Sequence, residues 1–352
     1  MQSSFILTCR PESMDLALNE LRNGTLIPGS EGIGVQGRLL STLSPGLLHY
    51  ELDTPREAAI RSLRTLDPIF IRHLHPVDLT LETDSEEALQ DSLRTLLQDL
   101  SPGSSLALQI SKADDAPEPA VIAQRFEYVL EDLGFTVDPQ ATDHILSITV
   151  TTDICYAGLS SADDNLSPWP GGRSRYRRQE DQLSRAGFKL EEAIATYLDG
   201  QTKGGSALDL GAAPGSWTQV LLTKGYEVLA IDPADLDSQL LKNPAVTHFK
   251  GKSEDWAADR QNKIESDRTP GFDLIVNDMK MDVILSARIM SECAEFLNPG
   301  AHMIMTFKLP AKKPSAKIKA GLEILSASYT SLRARQLYHN RSEITVAGVK
   351  RN

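Results

Sequence analysis

Asp209-Leu210-Gly211-Ala212-Ala213-Pro214-Gly215-Ser216-Trp217 decides how this 352-residue chain folds. The residues leading into it, 206–210, are apolar and short, as in a buried strand, and 216–224 then take up a helical period. A strand entering a glycine-bearing loop and then a helix is the ligand-holding turn of open parallel sheets. Gly211 and Gly215 let the backbone pass close to a ligand, and Pro214 limits the freedom the loop loses on binding. The loop is not the dinucleotide fingerprint GxGxxG, because Ala213 stands where a glycine is required.

Outward from this turn, helix and strand alternate. The pattern predicts a helix over 185–198, a strand over 227–231 ending at Asp232, and a strand over 246–250. It then predicts a strand over 272–277 ending at Asp278, a helix over 283–297 and a strand over 302–307 ending at Lys308. Residues 332–338 and 343–349 are strand-like, with a connection too short for anything but an antiparallel hairpin. This is an α/β fold with a parallel sheet and crossover helices, closed by an antiparallel hairpin.

Ligands of such sheets bind outside the carboxyl ends of the strands. Asp209, Asp232, Asp278 and Lys308 lie at those ends, and Glu343 opens the returning strand on the same rim. Lys189, on the helix before the first strand, can point towards them. Singly, each has a plain explanation: Asp278 as a helix cap, Lys308 as a snorkelling surface lysine, Glu343 as a turn residue. Their convergence is what points to chemistry. The loop 209–217 together with Asp232, placed to accept ribose hydroxyls of an adenosine, predicts an S-adenosylmethionine site. Lys189, Asp278, Lys308 and Glu343 beside it predict methyl transfer to a ribose hydroxyl, a poor nucleophile that needs a proton acceptor and alignment. Lys308 is the expected acceptor, with Lys189 lowering its pKa from ~10.4 to about 7. Burial favours that change, whereas Asp278 and Glu343 oppose it. In the rival account the lysines only align the hydroxyl.

Ahead of this region the sequence holds a small α/β unit in its first 65 to 70 residues or so and then a second unit. Leu89, Leu93, Leu96, Leu97 and Leu100 form one helical stripe, Leu106, Leu108 and Ile110 alternate as in a strand, and Ile122, Phe126, Val129, Leu130 and Leu133 form a second stripe. These stripes read as core. Residues 161–183 read as a basic linker carrying Arg173, Arg175, Arg177 and Arg178, either a solvated hinge or a phosphate-contacting strap with Trp169 and Tyr176 available for base stacking.

Composition excludes several classes. Hydrophobic residues make up 41% and charged residues 24% of the chain, as in ordinary globular proteins. No apolar run approaches a membrane span, and Met1-Gln2-Ser3-Ser4 leads into a strand-like stretch without a secretory signal. Cys9, Cys155 and Cys293 form no CxxC, so no metal site is expected, and free thiols imply a reducing cytoplasm. The net charge of −12 is unevenly spread: residues 165–352 hold 26 Lys+Arg against 22 Asp+Glu, and the rest hold 10 against 26. A basic face on the C-terminal half is therefore compatible with an RNA partner.

Ser184-Arg185-Ala186-Gly187-Phe188-Lys189-Leu190-Glu191-Glu192-Ala193, the loop 209–217, Asn277-Asp278-Met279 and Phe307-Lys308-Leu309-Pro310 together resemble the FtsJ-type ribose 2′-O-methyltransferases and their Lys-Asp-Lys-Glu tetrad. The stretches 307–313 and 334–346 resemble more narrowly the ribosomal RNA large subunit methyltransferase M family, as does Leu7-Thr8-Cys9-Arg10-Pro11-Glu12. The resemblance implies a Rossmann-like class I methyltransferase domain over 184–352. Before it would come a ferredoxin-like unit over 1–68, a THUMP-like RNA-binding unit over 69–160 and the linker 161–183. It also implies S-adenosylmethionine as cofactor and a cytidine of 23S rRNA, or a large-subunit precursor, as substrate, with a monomer acting in the cytoplasm away from membranes and without a metal. Lys189, Asp278, Lys308 and Glu343 would be catalytic. Asp209, Gly211, Ala213, Pro214, Gly215, Ser216, Trp217, Asp232, Lys252, Ser253 and Asp278 would hold the cofactor. The chain departs from the family's pattern at Lys252, where the family has an acidic residue, at Ala186, where it has a serine, and at Ser216, where it has a glycine. The alternatives are methylation of tRNA or another RNA, or a non-catalytic module binding S-adenosylmethionine or RNA. The second leaves the complete tetrad without a purpose.

Overall fold

The computed structural model describes residues 2–29, 34–82, 86–141, 143–176, 183–198, 202, 204–263 and 271–352. The chain divides into two compact units, one of residues 1–25 and 30–174, the other of 26–29 and 175–352.

The first unit opens with β1 (Ser3–Thr8), α1 (Met14–Asn23), β2 (Gly37–Ser44), β3 (Leu47–Leu52), α2 (Arg56–Leu66) and β4 (His73–Pro76). Its strands form a sheet in the order β2-β3-β1-β4 with β1 antiparallel to both neighbours. The first sheet thus runs on to Pro76, past the expected boundary at 68, because β4 completes the pairing of β1. Glu20 of α1 is buried, and its carboxylate accepts the backbone N–H groups of Ile69 and Phe70, fixing the entry to β4. Next come β5 (Leu79–Glu82), α3 (Glu86–Leu96), β6 (Ser105–Lys112), α4 (Pro119–Asp132), β7 (Thr136–Val137), β8 (Ile145–Val150) and β9 (Ile154–Ser160), with sheet order β5-β9-β8-β6-β7. The leucine stripe of α3 and the Ile122–Leu130 stripe of α4 pack in one core, together with Ile6 and Leu47 of the first sheet. Gly158 of β9 lies so close to β4 that a Cβ there would meet Pro76 O at 1.9 Å, so the two sheets form one body.

Much of the expected linker belongs to this body as well. Leu74 N donates to Asn165 O, Gln109 Nε2 to Pro168 O and Thr8 Oγ1 to Gly171 O. Residues 177–182, with Arg177 and Arg178, lie outside the described residues.

The second unit contains α5 (Gly187–Tyr197), β10 (Gly205–Leu210), α6 (Ser216–Thr223), β11 (Tyr226–Ile231), β12 (Val246–Phe249), α7 (Ser253–Lys263), β13 (Phe272–Asn277), α8 (Val283–Glu292), β14 (Leu297–Lys308), α9 (Pro314–Ser326), β15 (Tyr329–Arg335) and β16 (Glu343–Lys350). The seven strands are ordered β12-β11-β10-β13-β14-β16-β15. All are parallel except β16, which runs antiparallel between β14 and β15. Several boundaries differ from expectation. Helix α8 ends at Glu292 rather than 297, and β14 begins at Leu297, since Asn298 Nδ2 bonds Gly271 O and Asp273 Oδ1 and ties that stretch to the start of β13. Strand β15 ends at Arg335, three residues early, because residues 336–342 form a turn held from α5.

Candidate active site

Topology brings the four expected residues together from four separate segments. Lys189 lies in the first turn of α5, Asp278 directly follows β13, Lys308 closes β14, and Glu343 opens β16 as the Cα partner of Lys308. Their charges alternate in a closed ring. Lys189 Nζ lies 3.1 Å from Asp278 Oδ2 and 2.5 Å from Glu343 Oε1. Lys308 Nζ lies 2.5 Å from Asp278 Oδ1 and 2.6 Å from Glu343 Oε2. Thr306, two residues before Lys308 and so on the same face of β14, donates its hydroxyl to Asp278 Oδ1 at 2.6 Å and accepts from Lys308 Nζ at 2.8 Å. Sequence reasoning missed Thr306, although the two-residue period of the strand was a usable signal.

The ring is half-buried, and its electrostatics follow from pairing. Burial works to lower the pKa of Lys189, but Asp278 and Glu343 outweigh it and hold the ammonium above its ordinary value. Burial pushes Asp278 up, yet Lys308, Lys189 and the Thr306 hydroxyl bring it below the usual carboxylate range.

Beside the ring, Asp209, Asp232 and Asp278 occupy the ends of three adjacent strands, β10, β11 and β13. Asp209 is fully buried with the Thr218 hydroxyl on Oδ2 at 2.6 Å. Burial, with the like charges of Asp278 and Asp232, pushes its pKa up to about 7, against the bond from Thr218. Asp232 braces the loop: Oδ2 accepts Ala213 N at 3.1 Å and Oδ1 accepts Ala234 N at 2.7 Å. A carboxylate oxygen can accept more than one hydrogen bond, so Asp232 keeps capacity for a ribose hydroxyl. Three acidic groups crowded at one rim, one of them penalised by the other two, suit a ligand with net positive charge. S-adenosylmethionine, with its sulfonium and ammonium, fits that requirement. Asp209, Asp232, Asp278 and the backbone of 211–215 would hold it.

The loop itself differs in detail from the sequence expectation. Gly211 and Gly215 have φ of +74° and +114°, and a Cβ would meet Met279 Cγ at 2.3 Å and Leu240 Cδ1 at 2.1 Å, respectively. Their need for glycine therefore comes first from backbone conformation and neighbouring side chains. Trp217, expected at the cofactor, lies in the core and donates its indole N–H to Ala186 O at 2.9 Å, tying α6 to the start of α5. Ser216 is also buried, its hydroxyl 2.7 Å from that of Ser184. Pro214 O accepts from Asp237 N at 2.9 Å. Gly251 N donates to Asp232 O, so Lys252, exposed, and Ser253, buried at the start of α7, lie close to the end of β11. Among the described residues no cluster of His, Cys, Asp or Glu could hold a metal, and no helix is long and apolar enough to cross a membrane.

A parallel sheet with this loop, three carboxylates at its rim and a two-lysine ion ring defines a methyltransferase domain that takes its methyl group from S-adenosylmethionine. Residues 182–308 match the FtsJ-like methyltransferase family, a span that includes Lys189, Asp278 and Lys308. The "Ribosomal RNA large subunit methyltransferase M" of Azoarcus sp. (strain BH72) is 31% identical over 307 residues, covering 79% of this chain and 78% of its own. That of Methylococcus capsulatus (strain ATCC 33009 / NCIMB 11132 / Bath) is 33% identical over 266 residues, 69% of each chain. That of Xylella fastidiosa (strain M12) is 37% identical over 198 residues, 53% of each. The chain belongs to the ribosomal RNA large subunit methyltransferase M family. Among solved structures, TrmN from Thermus thermophilus aligns over 99% of this chain and 100% of its own at a TM-score of 0.37 and 16% identity, too weak a likeness to bear on fold or function.

Proposed function

We infer that this chain methylates a ribose 2′-hydroxyl of large-subunit ribosomal RNA, a cytidine of the 23S molecule, in the cytoplasm. Its curated relatives carry the rRNA substrate in their names. The observation that carries the reading is the closed ring Lys189–Asp278–Lys308–Glu343 beside the cofactor loop.

S-adenosylmethionine, when bound, supplies a methyl group made electrophilic by its sulfonium. The residues of the ring position the nucleophile and take up its proton. An ammonium has three N–H donors. Lys308 directs its three to Asp278, Glu343 and Thr306. Lys189 gives two to Asp278 and Glu343, leaving the third for the ribose oxygen. Such a donor occupies one lone pair and leaves the other for in-line attack, so alignment supplies much of the rate. Lys308 Nζ is surrounded by acceptors, the bonding pattern of an ammonium, which favours alignment over a role as base. As the new C–O bond forms, the hydroxyl proton becomes strongly acidic. Asp278 Oδ2, which carries one bond to Lys189 where Oδ1 carries several, then takes the proton.

The test is methylation of protein-free rRNA from cells lacking the gene, with 2′-O-methyl groups mapped by mass. One new 2′-O-methylcytidine in 23S rRNA is expected, and an unchanged map rejects the substrate. The pH profile tests the mechanism. A kcat that is flat between roughly pH 6 and 9 fits alignment, whereas a tenfold rise per pH unit would restore Lys308 as the base.

A further inference from the structure

Next to the ion ring lies a turn whose construction the methyl-transfer chemistry does not require. Residues 336–342 join β15 to β16 and end at Glu343. Glu192, one helical turn beyond Lys189 on α5, is buried, yet its carboxylate is committed to this turn. It accepts Tyr338 N at 3.0 Å, His339 N at 2.9 Å and His339 Nδ1 at 2.9 Å. Asn340 fixes the other end, where Oδ1 accepts Leu337 N at 2.8 Å and the Thr345 hydroxyl at 3.0 Å. On this brace stands a stack of rings. Phe188, the neighbour of Lys189, lies 5.3 Å from His339; Tyr176 lies 6.2 Å from Phe188 and 5.6 Å from His339; Tyr338 meets His339 edge-on at 5.2 Å and 82°. Phe188 is buried, whereas Tyr338 at the outer end is 38% exposed.

A half-exposed tyrosine costs little to leave on a surface, but burying a carboxylate to make three bonds to one turn carries a large desolvation penalty. The support holds an aromatic ring in the turn that leads into Glu343. A rigid aromatic face beside a ribose site suits one chemical class, an unpaired nucleobase, because every base offers a π-face. We propose that Tyr338 is a stacking platform for a nucleobase of the RNA, at or next to the methylated nucleotide, and that Glu192 and His339 are its positioning residues. Arg341 of the same turn is exposed and supplies a cation for the adjacent phosphates. The Tyr176 ring, one of two aromatics that the linker sequence offers for base stacking, packs against Phe188 and His339 behind the platform.

This rests on the reading of the chain as an RNA methyltransferase, so binding and methylation are measured separately. The probe is protein-free rRNA from cells lacking the gene, and the variants are Tyr338→Phe, Tyr338→Leu and Tyr338→Ala. Loss of one stacked base is expected to raise Kd and KM for the RNA roughly tenfold in the Ala and Leu variants, while Phe stays within about twofold of the parent. Binding of S-adenosylmethionine by calorimetry remains near the parent's in all three, which also shows that they fold. Equal RNA affinity in Ala and parent, or rescue by Leu as good as by Phe, would overturn the platform. A parent that binds RNA through Tyr338 but forms no 2′-O-methyl group would uphold the platform and reject the reaction.

Discussion

Asp209 offers the sharpest quantitative test of the cofactor pocket. Its carboxyl is buried with a pKa of about 7, against an ordinary value of 3.8. A raised carboxyl pKa means that the folded chain holds a proton the unfolded chain has already lost. Stability from this group is therefore greatest below the ordinary value and declines as pH rises towards 7. A tenfold change in proton affinity corresponds to about 1.36 kcal/mol, so ionising Asp209 in the folded chain costs about 4 kcal/mol by pH 8. Asp209→Asn keeps the size and can still accept from the Thr218 hydroxyl, but carries no charge. Without cofactor, the variant should match the parent in stability near pH 4 and exceed it by about 4 kcal/mol near pH 8. Urea unfolding followed through the buried Trp217 and Trp256 reads the unit concerned. Affinity for S-adenosylmethionine should fall in the variant at pH 8, where the parent's Asp209 carries a negative charge that favours a cation nearby. A stability difference that is constant from pH 4 to pH 8 would refute the assignment of the buried charge.

Three other expectations follow from the geometry. Gly211→Ala forces a Cβ into the left-handed region and against Met279. It should cost about 1–2 kcal/mol from the backbone alone and weaken cofactor binding, and Met279→Ala, relieving only the clash, should restore part of the loss in thermal unfolding. Trp217→Phe removes the bond to Ala186 O, which should cost about 1 kcal/mol in denaturant unfolding and lower kcat by loosening the start of α5, where Lys189 sits. In the first unit, burial depresses His73 to about 3 and His75 to about 4, so both stay neutral in the fold. The unfolded chain takes up protons first, and stability is lost as pH falls below about 6.5; His73→Phe should remove roughly 3 kcal/mol of that loss at pH 4, measured by the pH dependence of urea midpoints.

The parallel sheet and its rim were legible because the strand ends carry their own punctuation. Asp232, Asp278 and Lys308 each close an apolar run, and the rule that ligands bind at carboxyl ends did the rest. Glu343 was legible only through the hairpin argument, and β16 does return antiparallel beside β15 with Glu343 at its start. What escaped depends on contacts remote in sequence. Trp217 reads as part of a glycine loop, yet its indole answers a carbonyl 31 positions away. Glu192 looks like a surface residue of a helix until the turn at 338–339 arrives to use it. The helix predicted through 297 overran because Cys293–Phe296 tightens into a 3-10 turn and Leu297 already opens β14.

The placement of β16 between β14 and β15 has a consequence for synthesis. Ribosomes build chains from the amino end, so the cofactor loop is assembled well before Glu343 exists. Until β16 slots into its gap, both ammonium groups lack their shared second counter-ion and β14 has an unpaired edge. A nascent chain halted before residue 343 thus exposes a template for strand pairing with other chains, while its own ion ring stays open.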